Sequence, residues 1–140
     1  MNDQELFYLL ALQRVEGVGD IIAKKLLAHF GQAEDVFKAK SSQLAAIDGI
    51  GNVLLKNFKD QSVFAKAERE LQFIASNSIT VNTFQDPDYP ERLKHCFDSP
   101  LVLFSSGTID LKNRKTISIV GTRQITSYGL EFCRKFIEDL

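Results

Sequence analysis

The apolar positions of this chain change their period near residue 78. Before that point they recur every three or four residues. Leu6, Leu9, Leu10 and Gln13 fall on one helical face, with Asn2 or Asp3 available as a cap. In "DIIAKKLLAHF", Ile22, Leu26, Leu27 and Phe30 repeat at helical spacing, and Gly31 stands where a C-terminal glycine belongs. "QAEDVFKA" and "SSQLAAI" read as short helices, the second capped by Ser41 or Ser42. A longer helix is expected through "VFAKAERELQFIAS", with Phe64, Ala67, Leu71 and Ile74 toward a core. The texture then shortens. "ITVNTF" and "PLVLFSSG" are β-branched or apolar runs separated by the turn formers of "QDPDYP", and "TISIV" is a third such run. Strands are expected near 79–84, 101–105 and 116–120. A final amphipathic helix carries Tyr128, Phe132, Phe136, Ile137 and Leu140 on one face.

The helical part contains an internal repeat. "LQRVEGVGDIIAKKL" from Leu12 aligns with "LAAIDGIGNVLLKNF" from Leu44, an offset of 49 − 17 = 32 residues between the first glycines. Leu12 matches Leu44, Val15 matches Ile47, Gly17-Val18-Gly19 matches Gly49-Ile50-Gly51, and Ile22 falls on Leu54. Helix, glycine hairpin, helix, stated twice, is the pattern of tandem helix-hairpin-helix motifs. Such hairpins are expected to be related by a pseudo-twofold, and the amides opening their second helices can hold a phosphate without reading base sequence. The same repeat also makes a compact helical domain with no DNA at all. Asp20 follows the first hairpin, where a phosphate would sit, and is expected to cap that helix and repel DNA. The second hairpin has neutral Asn52 there and Lys56 one turn on. Gly49, Gly51, Asn52 and Lys56 are therefore the better candidate contact.

Charge sharpens this division. The 140 residues carry a net charge of −1, and residues 1–62 hold seven Lys/Arg against eight Asp/Glu. Overall charge thus points to no nucleic-acid or membrane partner. From Leu111 through Leu130, however, stand Lys112, Arg114, Lys115 and Arg123 with no acid, the one stretch resembling an electrostatic footprint. "TISIV" runs into Gly121 and then the final helix, the strand–turn–helix of a doubly wound sheet, where ligands bind beyond the strand ends. Gly121 and Gly129 alone do not make GxGxxG, so a dinucleotide is not the obvious guest. Gly121, Thr122, Arg123, Thr126 and Ser127 offer a guanidinium, hydroxyls and helix-start amides, which suit a phosphate diester. The alternative is structural: a capping Thr126 or Ser127, with Arg123 paired to a carboxylate elsewhere.

The succession "DPDYPERLKHCFDSPLVLFSSGTIDL" and "ISIVGTRQITSYG" resembles the DNA-processing protein A family (DprA, also called Smf). Tyr89-Pro90, Leu93, Pro100, the apolar run 101–104, Gly107 and the Gly121–Gly129 loop carry the likeness. The resemblance implies an α+β/α/β two-domain chain. An N-terminal all-α helix-hairpin-helix (SAM-like) domain over residues 1–62 would be followed, over 63–140, by a linking helix and the first part of a Rossmann-like α/β domain. It implies binding of single-stranded DNA, loading of the RecA recombinase in natural transformation, a homodimer in the full-length protein, and no catalytic activity. The RecA and dimer surfaces would lie mostly beyond this chain, which is expected to be a truncated piece.

Other chemistry is sparse. His29 and His95 lack ligand spacing, so no metal is expected. His95-Cys96 reads as filler rather than a thiol–imidazole pair, and Asp86 and Asp88 around Pro87 read as turn stabilisers rather than a catalytic dyad. No catalytic residue and no cofactor is expected. Cys96 and Cys133 read as reduced thiols. Two acids precede the first apolar run, unlike a signal peptide, and no apolar stretch approaches the ~20 residues of a membrane helix. A soluble, cytoplasmic chain is expected, with no membrane partner. Two rival readings remain: a Rossmann-like enzyme holding a nucleotide at the same loop, and a pure interaction module built on the helical repeat.

Overall fold

The computed structural model describes residues 2–107, 117 and 119–139. Helix α1 (Asp3–Arg14) starts at Asn2. The Asn2 side chain accepts from the Glu5 amide at 2.8 Å, while Glu5 accepts from the Asn2 amide at 3.0 Å. This reciprocal box satisfies two amides that a helix start leaves open. Leu6, Leu9, Leu10, Ala11 and Leu12 are all buried. A helix with one apolar stripe would bury only part of that set. α1 is instead the central rod, with α6 (Ser62–Ser76) along one side and α3 (Ala33–Lys38) and α2 (Asp20–Phe30) on others.

α6 contributes Val63, Ala67 and Ile74 as buried residues, with Phe64 and Leu71 packed against the core. Its start is held by Asp60, whose two carboxylate oxygens accept from the Ser62 amide (2.8 Å) and hydroxyl (2.7 Å). Phe64 stacks on Phe7 with centroids 5.9 Å apart and lies 4.9 Å from Phe37, which meets Phe58 at 6.1 Å. This aromatic seam ties α6 to α1, α3 and the end of the second repeat. The expected boundary at residue 62 thus falls on the first residue of a helix that packs along α1. α4 (Ser41–Ala45) begins after Lys40, not after a serine: Ser41 is already helical, and the Gln43 side chain reaches back to the Lys40 amide at 2.9 Å.

The repeat persists down to single hydrogen bonds. Gly17 and Gly49 have φ of +88° and +94°, which a side chain would strain, and both turns need it. Val18 N–H donates to Val15 O (3.0 Å) as Ile50 N–H donates to Ile47 O (3.1 Å). Gly19 and Gly51 cap α2 and α5 (Asn52–Asn57) with φ, ψ of −87°, 176° and −95°, 178°. The two copies also exchange equivalent contacts. Asn57 donates to Glu16 O at 2.9 Å, and Lys25, its equivalent 32 positions earlier, reaches Asp48 O at 3.3 Å, Asp48 being the equivalent of Glu16. Reciprocity of this kind is the signature of a twofold relation. Between the copies, Leu54 approaches Gly17 so closely that a Cβ there would lie 3.3 Å from its Cδ1. No strand precedes Ser78 among the described residues.

β1 (Thr80–Thr83) pairs antiparallel with β2 (Val102–Ser105), with Thr80 opposite Ser105 and Thr83 opposite Val102. Phe84 N–H donates to Leu101 O (3.0 Å), extending the ladder. The intervening loop carries a single helical turn, α7 (Glu91–Lys94), that the apolar pattern did not announce. Asp86 stabilises the turn as expected, accepting from the Thr83 amide (2.6 Å) and hydroxyl (2.9 Å). The third expected strand is not formed among the described residues. Ile117, Ile119 and Val120 stand in no strand among the described residues and are exposed, Val120 by 91%, while Thr116 and Ser118 lie outside the described residues. The two paired strands run antiparallel, and no parallel partner is present among the described residues to shield Ile117, Ile119 and Val120. The last helix, α8 (Ser127–Glu138), is amphipathic as read, yet buries none of its residues. Phe132 and Phe136 stack on one another at 6.0 Å on its surface. The architecture is a helix-hairpin-helix domain followed by a partial α/β unit.

Candidate nucleic-acid interface

The two hairpins present the same backbone with different occupants. At the first, Asp20 does not cap its own helix as the sequence suggested, because Gly19 is the cap and makes no side-chain bond. The Asp20 carboxylate instead accepts from the Leu101 amide at 2.8 Å. One turn on, the Lys24 ammonium donates to Ser99 O (2.5 Å) and Ser99 Oγ (2.6 Å) and sits 5.6 Å from the centre of the Phe84 ring. The stretch 99–101 therefore lies against the first turn of α2. Tyr89, buried, also holds this stretch, donating to Pro100 O at 2.6 Å. Burial pushes its phenol above its ordinary value.

At the second hairpin the equivalent positions are open. Asn52 and Lys56, the counterparts of Asp20 and Lys24, are exposed, and Lys56 has no ion pair among the described residues. Gly51, as the cap, offers no side-chain acceptor to the first amides of α5.

The loop ahead of α8 brings its own candidates together on the surface. Thr126 is the N-cap, with its Oγ1 accepting from the Gly129 amide at 3.1 Å. The Thr122 hydroxyl is spent internally, donating to Gln124 O at 2.7 Å. Gly121, Arg123 and Ser127 are exposed, and Arg123 has no carboxylate partner among the described residues. Ser127 opens the helix, so its amide and the positive end of the dipole face the loop. Lys112, Arg114 and Lys115 lie outside the described residues. Among the described residues, no three of His, Cys, Asp and Glu are grouped to hold a metal, and no helix is long and apolar enough to cross a membrane.

Comparison with known proteins matches both halves of this layout. Residues 80–140 match the family described as DNA recombination-mediator protein A, and residues 9–60 the SAM-like helix-hairpin-helix tandem. Protein Smf of Synechocystis is 30% identical over 144 residues, covering 100% of this chain and 36% of the relative. DNA processing protein DprA of Bacillus subtilis is 32% identical over 130 residues, covering 84% of this chain and 43% of the relative.

The chain carries a DprA/Smf-family domain over residues 80–140.

It spans less than half the length of these relatives, and no solved structure matches it. Within the DprA/Smf motifs, Tyr89 and Pro100 prove to be one contact, a buried phenol on a carbonyl. Sequence reading missed the anchoring of 99–101 by Asp20 and Lys24. Its one visible signal was the mismatch inside the repeat, an acid at position 20 where the second copy has an amide.

Proposed function

We propose that this chain is the DNA-contacting N-terminal part of a recombination mediator that binds single-stranded DNA and acts in natural transformation in the cytoplasm. The phosphate contact is the loop Gly121, Thr122, Arg123, Thr126 and Ser127. The second hairpin, through Gly49, Gly51, Asn52 and Lys56, supplies an auxiliary contact. The helical domain spans 1–62, and residues 63–140 comprise a linking helix and the first part of a Rossmann-like domain. RecA loading and homodimerisation belong to the longer protein, and the role is non-catalytic.

One observation carries this reading: Arg123 is exposed, unpaired among the described residues, and placed just ahead of a helix start. A guanidinium and a helix dipole converging on open solvent favour an anion that arrives from outside. Fluorescence anisotropy of labelled oligo-dT tests it. Arg123→Ala is expected to weaken binding for all base sequences alike and to lower the salt slope by ~0.7, one phosphate's worth. Arg123→Lys recovers part of the loss, because a point charge replaces a two-pronged donor. Unchanged affinity and slope would sink the reading, and competition by a mononucleotide instead of oligo-dT would favour a nucleotide-binding enzyme.

A further inference from the structure

A second surface has the chemistry of a stacking platform. On α6, Lys66, Arg69, Glu70 and Phe73 recur at i, i+3, i+4 and i+7, so they share one face over about 10 Å of helix. That face is not the buried one, which is made by Val63, Ala67 and Ile74. With Arg14, the last residue of α1, these four residues line a shallow cleft of about 450 Å³. Phe73 is 60% exposed there. Among the described residues before Ser78, Val53 is the other large hydrophobic exposed to that degree.

Charge decides what could cover Phe73. The cleft's acid, Glu70, is taken by Arg14, which donates to it from Nε at 2.9 Å and from a terminal nitrogen. Arg69 is exposed and is steadied by its Nε–H bond to Ala65 O at 3.2 Å. Lys66 makes no ion pair among the described residues. Two cations outside any ion pair among the described residues, Lys66 with its charge felt by the Asp60 carboxylate, therefore lie beside an exposed aromatic ring in a helical region that has no basic excess overall. An apolar partner would not need the cations, and a simple anion would not need the ring. A nucleobase joined to phosphates needs both.

We propose that the cleft between the end of α1 and α6 is a second contact for single-stranded nucleic acid, with Phe73 stacking on a base and Lys66 and Arg69 holding the adjoining phosphates. This deepens the single-stranded DNA reading and rests on it, but it uses none of the residues of the 121–127 loop. A duplex does not fit equally, because its bases already cover one another's faces.

Anisotropy with labelled oligo-dT and a duplex of equal length tests the proposal on the whole chain, folding of each variant being checked by circular dichroism. Phe73→Ala is expected to weaken oligo-dT binding about 5- to 20-fold, leave duplex binding within about twofold, and keep the salt slope, since no charge is lost. Phe73→Tyr restores affinity. Lys66→Ala with Arg69→Ala lowers the slope by about 1.4. Wild-type affinity in Phe73→Ala would overturn this inference while leaving the Arg123 reading intact. Loss in Phe73→Ala with none in Arg123→Ala would do the reverse. Equal loss on duplex, displacement of oligo-dT by a poly-glutamate peptide that depends on Phe73, or no oligo-dT binding by the wild type would each overturn it.

Discussion

Removing the Asp20 carboxylate tests how the helical repeat holds the strand pair. Asp20→Ala takes away the acceptor for the Leu101 amide, 81 residues distant in sequence, and Leu101 is fully buried. A buried donor left without a partner costs about 1–3 kcal/mol. Loss of a carboxylate from the first turn of α2 adds about 0.3–1 kcal/mol through the helix dipole. The sum is about 1–4 kcal/mol, read as a fall in the thermal midpoint of roughly 4–14 °C. The loss should be uneven, because α1, α3 and α6 keep their core. Amide exchange is therefore expected to quicken at Leu101 and along Val102–Ser105 while α1 stays protected. Asp20→Asn keeps an oxygen in place and recovers most of the protection. The counterpart, Asn52→Ala, faces solvent and should leave exchange unaltered. Unchanged exchange at Leu101 in Asp20→Ala would refute the anchoring, whatever happened to the midpoint.

Other expectations follow from single contacts. Leu54→Ala empties the space between the two hairpins and should cost about 2–4 kcal/mol in urea unfolding, with no change in oligo-dT affinity beyond that from lost fold. Gly17→Ala forces a side chain onto a positive φ and against Leu54, and should destabilise by about 1–3 kcal/mol, whereas Gly19→Ala meets no atom within 4 Å and should be milder. The Lys25 ammonium, hydrogen-bonded at 2.7 Å, holds the Asp48 carboxyl below its ordinary value of 3.8. A lowered folded-state value means that the pair's contribution is present above pH 3.8 and fades as pH falls through the folded value. Asp48→Asn should therefore flatten the acid side of the stability profile, and high salt should do the same. The bare apolar face of α8 should drive self-association at high protein concentration. Phe132→Glu with Ile137→Glu should shift the sedimentation profile toward monomer, and an unchanged profile would mean that this face is not the contact.

The period of the apolar residues determined where α1, α2, α3, α6 and the two paired strands lie, because helix and strand each impose their own repeat on any face that meets a core. The doubled glycine hairpin was equally legible. A Gly-x-Gly turn is a local object: positive φ at Gly17 and Gly49 and an extended Gly19 and Gly51 follow from residues a few positions apart. The family motif showed in the same way, since Tyr89, Pro100 and the 121–129 loop keep their order and spacing. What the tertiary structure alone decided was which surfaces are spent. Leu12 and Ala11 are buried because α1 is enclosed by helices contributed from elsewhere in the chain, not because of their place on a stripe. Ser41 is inside α4 because Gln43 folded back onto Lys40. Asp20 looked like a helix cap and became a clamp on Leu101, and Lys24 joined it on Ser99. Pattern reading cannot supply that pairing, because it depends on which strand arrives beside the hairpin once α6 has packed along α1. The same arrival sets residues 99–101 against the first hairpin, whereas Asn52 and Lys56 of the second hairpin, Arg123 and Phe73 face solvent.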